Sequence, residues 1–311
     1  MSREPGPSEG LPAAASRWNG QSLKRQESAS SLTADAWRRL KRNRAALVSL
    51  VFIVALTALT FGAPLLGLPS PEAQDLGNMN QGPSPEHPFG TDELGRDMVS
   101  RLAYGGQVSL LVSLAVQILT ALIGTTLGLI AGYYGGTTDT IIMRVVDTIY
   151  AFPPFLFAVF MAAILPPSVW SIVLVLTIVG WPWNARVTRG LVLSLKETDF
   201  ITAARVVGAG SWRIMLRHLL PNSLSPLIVG FSIGIAGTIM AESGLSFLGI
   251  GIRPPTPSWG GMIEKGRLFL RVYPHLAIFP SIALALTVLA FNFLGDGLRD
   301  ALDPRLRKQL Q

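Results

Sequence analysis

Long apolar stretches separated by short polar segments dominate this chain. No charged residue occurs from Ala45 to Leu68, and a helix of this length extends about 36 Å, enough to cross a bilayer with some tilt. Pro69 and Pro71 follow, and prolines this close together disfavour helix before them. The pattern therefore predicts a first membrane-spanning helix that ends at residue 68.

Five further spans are predicted from the remaining apolar runs. The second covers about 108–133, the third and fourth divide the uncharged run 148–185 at Pro166-Pro167, the fifth begins near 224, and the sixth covers about 276–294. In the second span Gly124, Gly128 and Gly132 recur every four residues on one face, which favours close helix packing over a solute path lined by glycine.

Composition agrees with this pattern. Of the 311 residues, 49% are hydrophobic and 14% charged, and the mean hydropathy is positive, so the chain is predicted to be an all-α, polytopic membrane protein. The absence of cysteine excludes disulfides and thiolate metal sites. The net charge of +7 arises from Lys and Arg at the ends of apolar runs, where they meet the lipid bilayer, so no nucleic-acid partner is expected.

Charge asymmetry predicts the orientation of the first half. Residues 1–36 form a predicted disordered cytoplasmic tail of Ser, Pro, Gly, Ala and mixed charges. Residues 37–68 form the first transmembrane helix with a cytoplasmic basic collar, which comprises Arg38, Arg39, Lys41, Arg42 and Arg44. Residues 69–106 form an acidic loop that is expected outside. No cleavable signal peptide is recognisable, so the first span is expected to be retained.

The second half is predicted to be a five-helix core over 107–297 with a cytoplasmic loop at 187–222, where basic residues outnumber acids. A cytoplasmic tail follows over 298–311, so both termini lie inside. One segment departs from the charge rule. The loop 253–271 has four bases against Glu264 alone, yet six spans place it outside.

The loop 187–222 contains a segment that is suited to contact with a protein. Asp199 is expected to cap a short helix, and the small side chains of Ala203 and Ala204 permit a close approach. Gly208 is expected to end this helix in a left-handed conformation, and Pro221 to restart the chain toward the next span. An ordinary amphipathic loop between two membrane helices is the alternative.

The spacing Ala-Ala, three residues, Gly208, nine residues, His218, one residue, Leu220-Pro221 resembles the cytoplasmic coupling loop of bacterial ABC-importer permeases. In that family the loop docks on the ATPase subunit. The chain departs from the family pattern at Thr202, where the motif ordinarily opens with Glu, so a salt bridge is not available there. His218 is frequent at its position in the peptide-importer branch.

Other segments are similar to the C-type permease of the dipeptide, oligopeptide and nickel importers. They are His87–Asp97, Ala241–Gly249, Pro254–Gly260 and Gly295–Arg305. The resemblance implies the type I permease fold of ABC importers in a bacterial inner membrane. It also implies a homologous permease, two ABC ATPase subunits and an external solute-binding protein as partners.

Motifs for catalysis and cofactors are absent from the sequence. No Gly-x4-Gly-Lys-Ser/Thr loop is present to hold ATP phosphates, so the chain is not expected to be an enzyme, and ATP with Mg is expected on the partner ATPases. No metal or cofactor is expected in this chain. The acids of the loop 69–106 match no EF-hand spacing and favour helix caps and ion pairs over a calcium site. No zincin motif or nucleophile elbow supports an intramembrane hydrolase.

Glu242 is the only carboxylate between Leu219 and Ile252. An acid at membrane depth is a candidate contact on the substrate path. The alternative is a structural role near the outer interface, where water or Arg253 would satisfy it. An ion-driven secondary transporter is the alternative function, but such a carrier should show several buried ionisable residues and internal repeats. The sequence therefore predicts half of an ATP-driven path for peptides or similar small solutes.

Overall fold

The computed structural model describes residues 32–302, and this range is helical apart from its connections. Its helices are α1 (Leu32–Arg42), α2 (Arg44–Phe61), α3 (Met98–Tyr134), α4 (Gly136–Tyr150), α5 (Pro154–Ile164), α6 (Val169–Leu195), α7 (Asp199–Val206), α8 (Ser211–Ile214), α9 (Leu220–Phe247), α10 (Trp259–Leu268) and α11 (His275–Leu302). Within 32–302 there is no strand beyond one isolated bridge between Thr91 and Asp97. The all-α prediction is confirmed.

Among residues 32–302, four helical segments are long and apolar enough to cross a membrane: Arg44–Gly62, Met98–Tyr134, Ser211–Phe247 and His275–Leu302. The pair α4 and α5, bent by 80°, counts as a fifth if it is one span. Helix α6 has 27 residues, a sufficient length, but polar residues in its second half lower its hydropathy. Six crossings are compatible with this arrangement.

Several predicted helix boundaries are wrong, each for a local reason. Helix α2 ends at Phe61 instead of residue 68, because Gly62 caps it and Pro64 follows. Helix α3 begins at Met98 instead of near 108, because the Asp97 carboxylate accepts a hydrogen bond from the Ser100 amide at 2.8 Å. Residues 98–106 therefore belong to a helix and not to the loop.

The termini also differ from the predictions. Helix α1 begins at Leu32, inside the segment predicted to be disordered, and its Leu40 packs against Ala46 and Ala301. Helix α11 continues to Leu302 instead of ending near 294. Its Gly297 packs closely against Ala46 of α2. Residues 1–31 of the predicted first tail and 303–311 of the last lie outside the described range.

The third predicted span is broken. Pro153 and Pro154 end the helical run at Tyr150 and restart it at a large angle, so α5 has only 11 residues. The Pro166-Pro167 break that was predicted to divide the hairpin does lie between α5 and α6.

The predicted glycine stripe is the contact between α3 and α6. A Cβ atom on Gly128 would lie 2.6 Å from the Ala185 carbonyl oxygen, and one on Gly132 would lie 2.8 Å from Val192 Cβ. Only glycine lets the two helices approach this closely, so the interpretation of the stripe as helix packing is confirmed.

The acids of the long loop form caps and ion pairs that fasten it to the helices. Asp92 pairs with Arg96 at 2.7 Å and with Arg101 at 3.1 Å, while Glu93 pairs with Lys265 of α10 at 2.8 Å. Burial alone would raise the pKa of the Glu93 carboxyl, but the hydrogen bond from Lys265, a backbone hydrogen bond and the nearby cations together lower it. Within the described range, no group of three or more His, Asp or Glu side chains could hold a metal ion.

Candidate coupling surface

Helix α7 is the short helix predicted between the fourth and fifth spans. It begins at Asp199, but the residue that precedes its first turn is Thr198, and no side chain caps it. The prediction that Asp199 is the cap is therefore wrong. Asp199 instead lies in the first turn, where its negative charge interacts favourably with the helix dipole.

The end of α7 is as predicted. Gly208 has a φ of 84°, the left-handed region that favours glycine. The Ala209 amide donates to the Ala204 carbonyl at 3.0 Å, and the Gly208 amide donates to the Arg205 carbonyl at 2.9 Å. These two hydrogen bonds are those of a Schellman motif, which fixes the direction in which the chain leaves the helix.

One face of α7 rests on the ends of three long helices. Ile201 is fully buried in a cluster with Leu129 of α3, Val192 of α6, and Ile214 and Met215, which precede α9. The Ile201 side chain therefore links α7 to α3, α6 and the helical segment that leads into α9 through one shared apolar cluster.

The opposite face of α7 is exposed and partly apolar. Val206 and Val207 expose 82% and 87% of their surface, and Phe200 exposes 43%. Thr202 and Ala203 are also exposed, Ala204 is half-buried, and the Thr202 hydroxyl lies 3.4 Å from the Thr198 carbonyl oxygen. Exposed apolar side chains clustered on one short element are typical of protein–protein contacts.

The chain does not restart at Pro221. It is helical from Ser211 to Phe247, through α8, a π-helical turn at Met215–Leu219 and α9. The wider π turn contains His218 and immediately precedes Leu220 and Pro221, and such turns often accompany a proline that lacks an amide donor. The predicted start of the fifth span near 224 is therefore corrected to 211.

Serine hydroxyls surround the Glu242 carboxylate on α9. The residue is 0% exposed. Ser246 donates to it at 2.8 Å and Ser109 of α3 at 3.1 Å, and the Ser243 hydroxyl lies 3.4 Å away. Ser258, which immediately precedes α10, lies 3.4 Å from the Ser246 hydroxyl. The predicted contacts with water or Arg253 are therefore replaced by hydroxyls that join α3, α9 and α10.

The sequence interpretation singled out Glu242 but missed these serines. A serine in an apolar helix is common, and only the fold brings Ser109 and Ser258 to the same carboxylate. In the described part of the chain, Glu242 does not lie beside α7. Glu242 lies toward the C-terminal end of the long helix that begins at Ser211, whereas α7 lies just before the N-terminal end of that helix.

Comparisons with known proteins agree with this architecture. Residues 124–308 match the family of the binding-protein-dependent transport system inner membrane component, and residues 31–83 match the N-terminal TM domain of oligopeptide transport permease C. The fold resembles that of a chain in an inward-facing structure of the MetNI methionine ABC transporter. The TM-score is 0.54 at 18% identity, over 65% of this chain and 96% of the other.

Two relatives are similar along most of their length. The chain is 44% identical to the glutathione transport system permease protein GsiD of Pectobacterium atrosepticum, over 87% of this chain and 90% of the relative. It is 42% identical to the dipeptide transport system permease protein DppC of Alkalihalophilus pseudofirmus, over 91% and 93%.

The helices, their apolar surfaces and the short exposed helix between two spans define a polytopic membrane permease. The chain belongs to the family of binding-protein-dependent transport system inner membrane components, as a C-type permease subunit.

Proposed function

We propose that this chain forms one half of the membrane path of an ATP-driven importer of peptides or similar small solutes. The observation that carries the proposal is the exposed apolar face of α7, whose opposite face rests on three membrane helices. The two relatives described above, named for glutathione and dipeptide transport, support the class of solute.

An ABC ATPase subunit is the proposed occupant of the α7 surface. The α7 surface comprises the end of the helix at Gly208 together with Thr202, Ala203, Ala204, Val206 and Val207. Closure of two ATPase subunits on ATP would move α7, and the shared cluster around Ile201 would pass that movement to α3, α6 and α9. ATP and Mg bind to the ATPases. The permease supplies α7, which transmits the movement, and the path for the solute.

The other partners follow from the same proposal. A homologous permease completes the path, and a solute-binding protein delivers the solute on the side opposite to α7. Both termini and α7 then face the cytoplasm, and the loop between α2 and α3 faces outside. Cations on and beside α7, among them Lys196, Arg205 and Arg213, are consistent with this orientation.

Reconstitution in liposomes tests the function. With the second permease, the ATPases and the binding protein, uptake of Ala-Ala or glutathione should require ATP on the ATPase side and persist after proton and sodium gradients are collapsed. The chain alone should neither transport nor hydrolyse ATP, because it has half a path and no phosphate-binding loop. Gradient-driven transport by the chain alone would instead establish an ion-driven carrier.

A further inference from the structure

A cavity of about 410 Å³ lies between α3, α6 and α9. Its walls are mainly apolar, with Val116, Leu176 and Val179 among them, and Gly230, Gly234 and Gly237 of α9 form one side. None of its lining residues is charged. Apolar walls with a few polar groups are typical of sites that bind small solutes.

Two carboxamides reach this cavity, and they differ in their partners. Gln117 of α3 donates to the Gly234 carbonyl at 3.0 Å and to the Thr238 hydroxyl at 2.7 Å. Asn184 of α6 is only 8% exposed, yet its carboxamide makes no hydrogen bond with any group of residues 32–302. Gln117 is therefore satisfied within the fold, and Asn184 is not.

A carboxamide that lines a cavity without a partner in the fold keeps its donor and its acceptor available to whatever enters the cavity. The backbone fixes Asn184 in this position, because its Cβ packs against Gly124 at the contact of α3 with α6. The side chain has no room on that side and is directed into the cavity. The structure thus holds a free donor and a free acceptor at a mainly apolar wall.

A carboxamide donates through its nitrogen and accepts through its oxygen, as a peptide group does. It also carries no charge, so it can pair with peptide groups and carboxylates of solutes whose side chains differ. We propose that Asn184 contacts the transported solute by hydrogen bonds to its peptide or carboxylate groups as it passes through the cavity. This inference rests on the function proposed above.

Asn184→Asp provides a sharp test, because the shape is kept and a negative charge is placed at the cavity wall. Uptake of Ala-Glu and of Ala-Lys is measured in liposomes with the complete transporter, with the binding protein saturated. We expect the ratio of Ala-Glu to Ala-Lys uptake to fall about tenfold relative to the unmodified transporter, because the new charge repels one solute and attracts the other. An unchanged ratio would overturn the proposal.

Asn184→Leu removes the hydrogen bonds and keeps most of the volume. Uptake of both dipeptides should fall about fivefold to tenfold with the ratio preserved. Thr177→Val is the matched control. Thr177 lies on the same helix with a buried, unpartnered hydroxyl that does not line the cavity, and this variant should change neither rate nor ratio.

Two other outcomes distinguish failure of the inference from failure of the proposed function. If Asn184→Leu loses the second permease during purification, the carboxamide is a subunit contact and the inference is wrong. If the unmodified transporter takes up no dipeptide with ATP, the proposed function itself fails.

Discussion

At the scale of single residues, Glu242 shows how a membrane helix can hold an acid. The neighbouring hydroxyls supply the hydrogen bonds that water would supply elsewhere, and they come from α3 and α9, with Ser258 adjoining from the start of α10. Because removal of one partner leaves the others buried and unpaired, the group should matter more for folding than for chemistry.

Substitution of Glu242 tests this structural role. Glu242→Ala leaves a small cavity and several unpaired hydroxyls, so we expect a loss of stability of about 3 kcal/mol. Glu242→Gln keeps hydrogen-bonding atoms at the same positions, so the stability of this variant should be close to that of the unmodified protein. The apparent melting temperature of the purified transporter in detergent measures the difference.

Glu197→Ala is the control, since this carboxylate is exposed between α6 and α7. A Glu242→Ala variant as stable as this control would contradict the structural role.

At the scale of elements, the direction of α7 depends on its last residue. Gly208 has a positive φ, whereas Gly210, which immediately precedes α8, has a φ of −67°. A Cβ atom would meet nothing within 4 Å at either position. The two glycines therefore differ in backbone conformation and not in the room available for a side chain.

This pair gives a matched experiment. Gly208→Ala should destabilise the Schellman end of α7 by about 1 kcal/mol and reduce binding of the ATPase subunits, because α7 then frays or leaves its position. Gly210→Ala should have no such effect. The measurement is the amount of ATPase that copurifies with the permease, together with uptake rates. Equal copurification with both variants would show that the end of α7 does not position the docking surface.

At the scale of the whole molecule, two of the four cations of the basic loop 253–271 are engaged within the fold. Lys265 pairs with Glu93 at 2.8 Å, and Arg267 lies 3.8 Å from Glu264 and over the Phe247 ring. The charge rule counts cations near the membrane ends regardless of pairing, so on charge alone this loop still opposes the proposed orientation, and a direct test is needed.

Single cysteines test the orientation, because the chain has none of its own. A membrane-impermeant thiol reagent added to intact cells should label cysteine at Gly82 and at Val272, both exposed on the side of α10. Cysteine at Ser194, exposed near α7, should be labelled only after the cells are opened. Labelling of Ser194→Cys in intact cells would reverse the orientation.

Local sequence patterns were enough to predict the class of the protein and the way in which α7 ends. Apolar runs of spanning length depend only on local composition, because a membrane helix satisfies its own backbone. The left-handed end at Gly208 also depends on local sequence, since glycine is favoured wherever a helix ends in the left-handed conformation. The glycine stripe on α3 was legible because its spacing matches the helical period.

The partners of the buried polar groups, in contrast, depend on how distant helices pack together. Ser109 and Glu242 are 133 positions apart, and no local pattern predicts that pair. The same holds for Asn184, an ordinary polar residue in the sequence, whose carboxamide lines a cavity only when α3, α6 and α9 pack together. Local chemistry fixes helices and their ends, whereas the satisfaction of buried hydrogen bonds depends on distant segments that meet only in the folded chain.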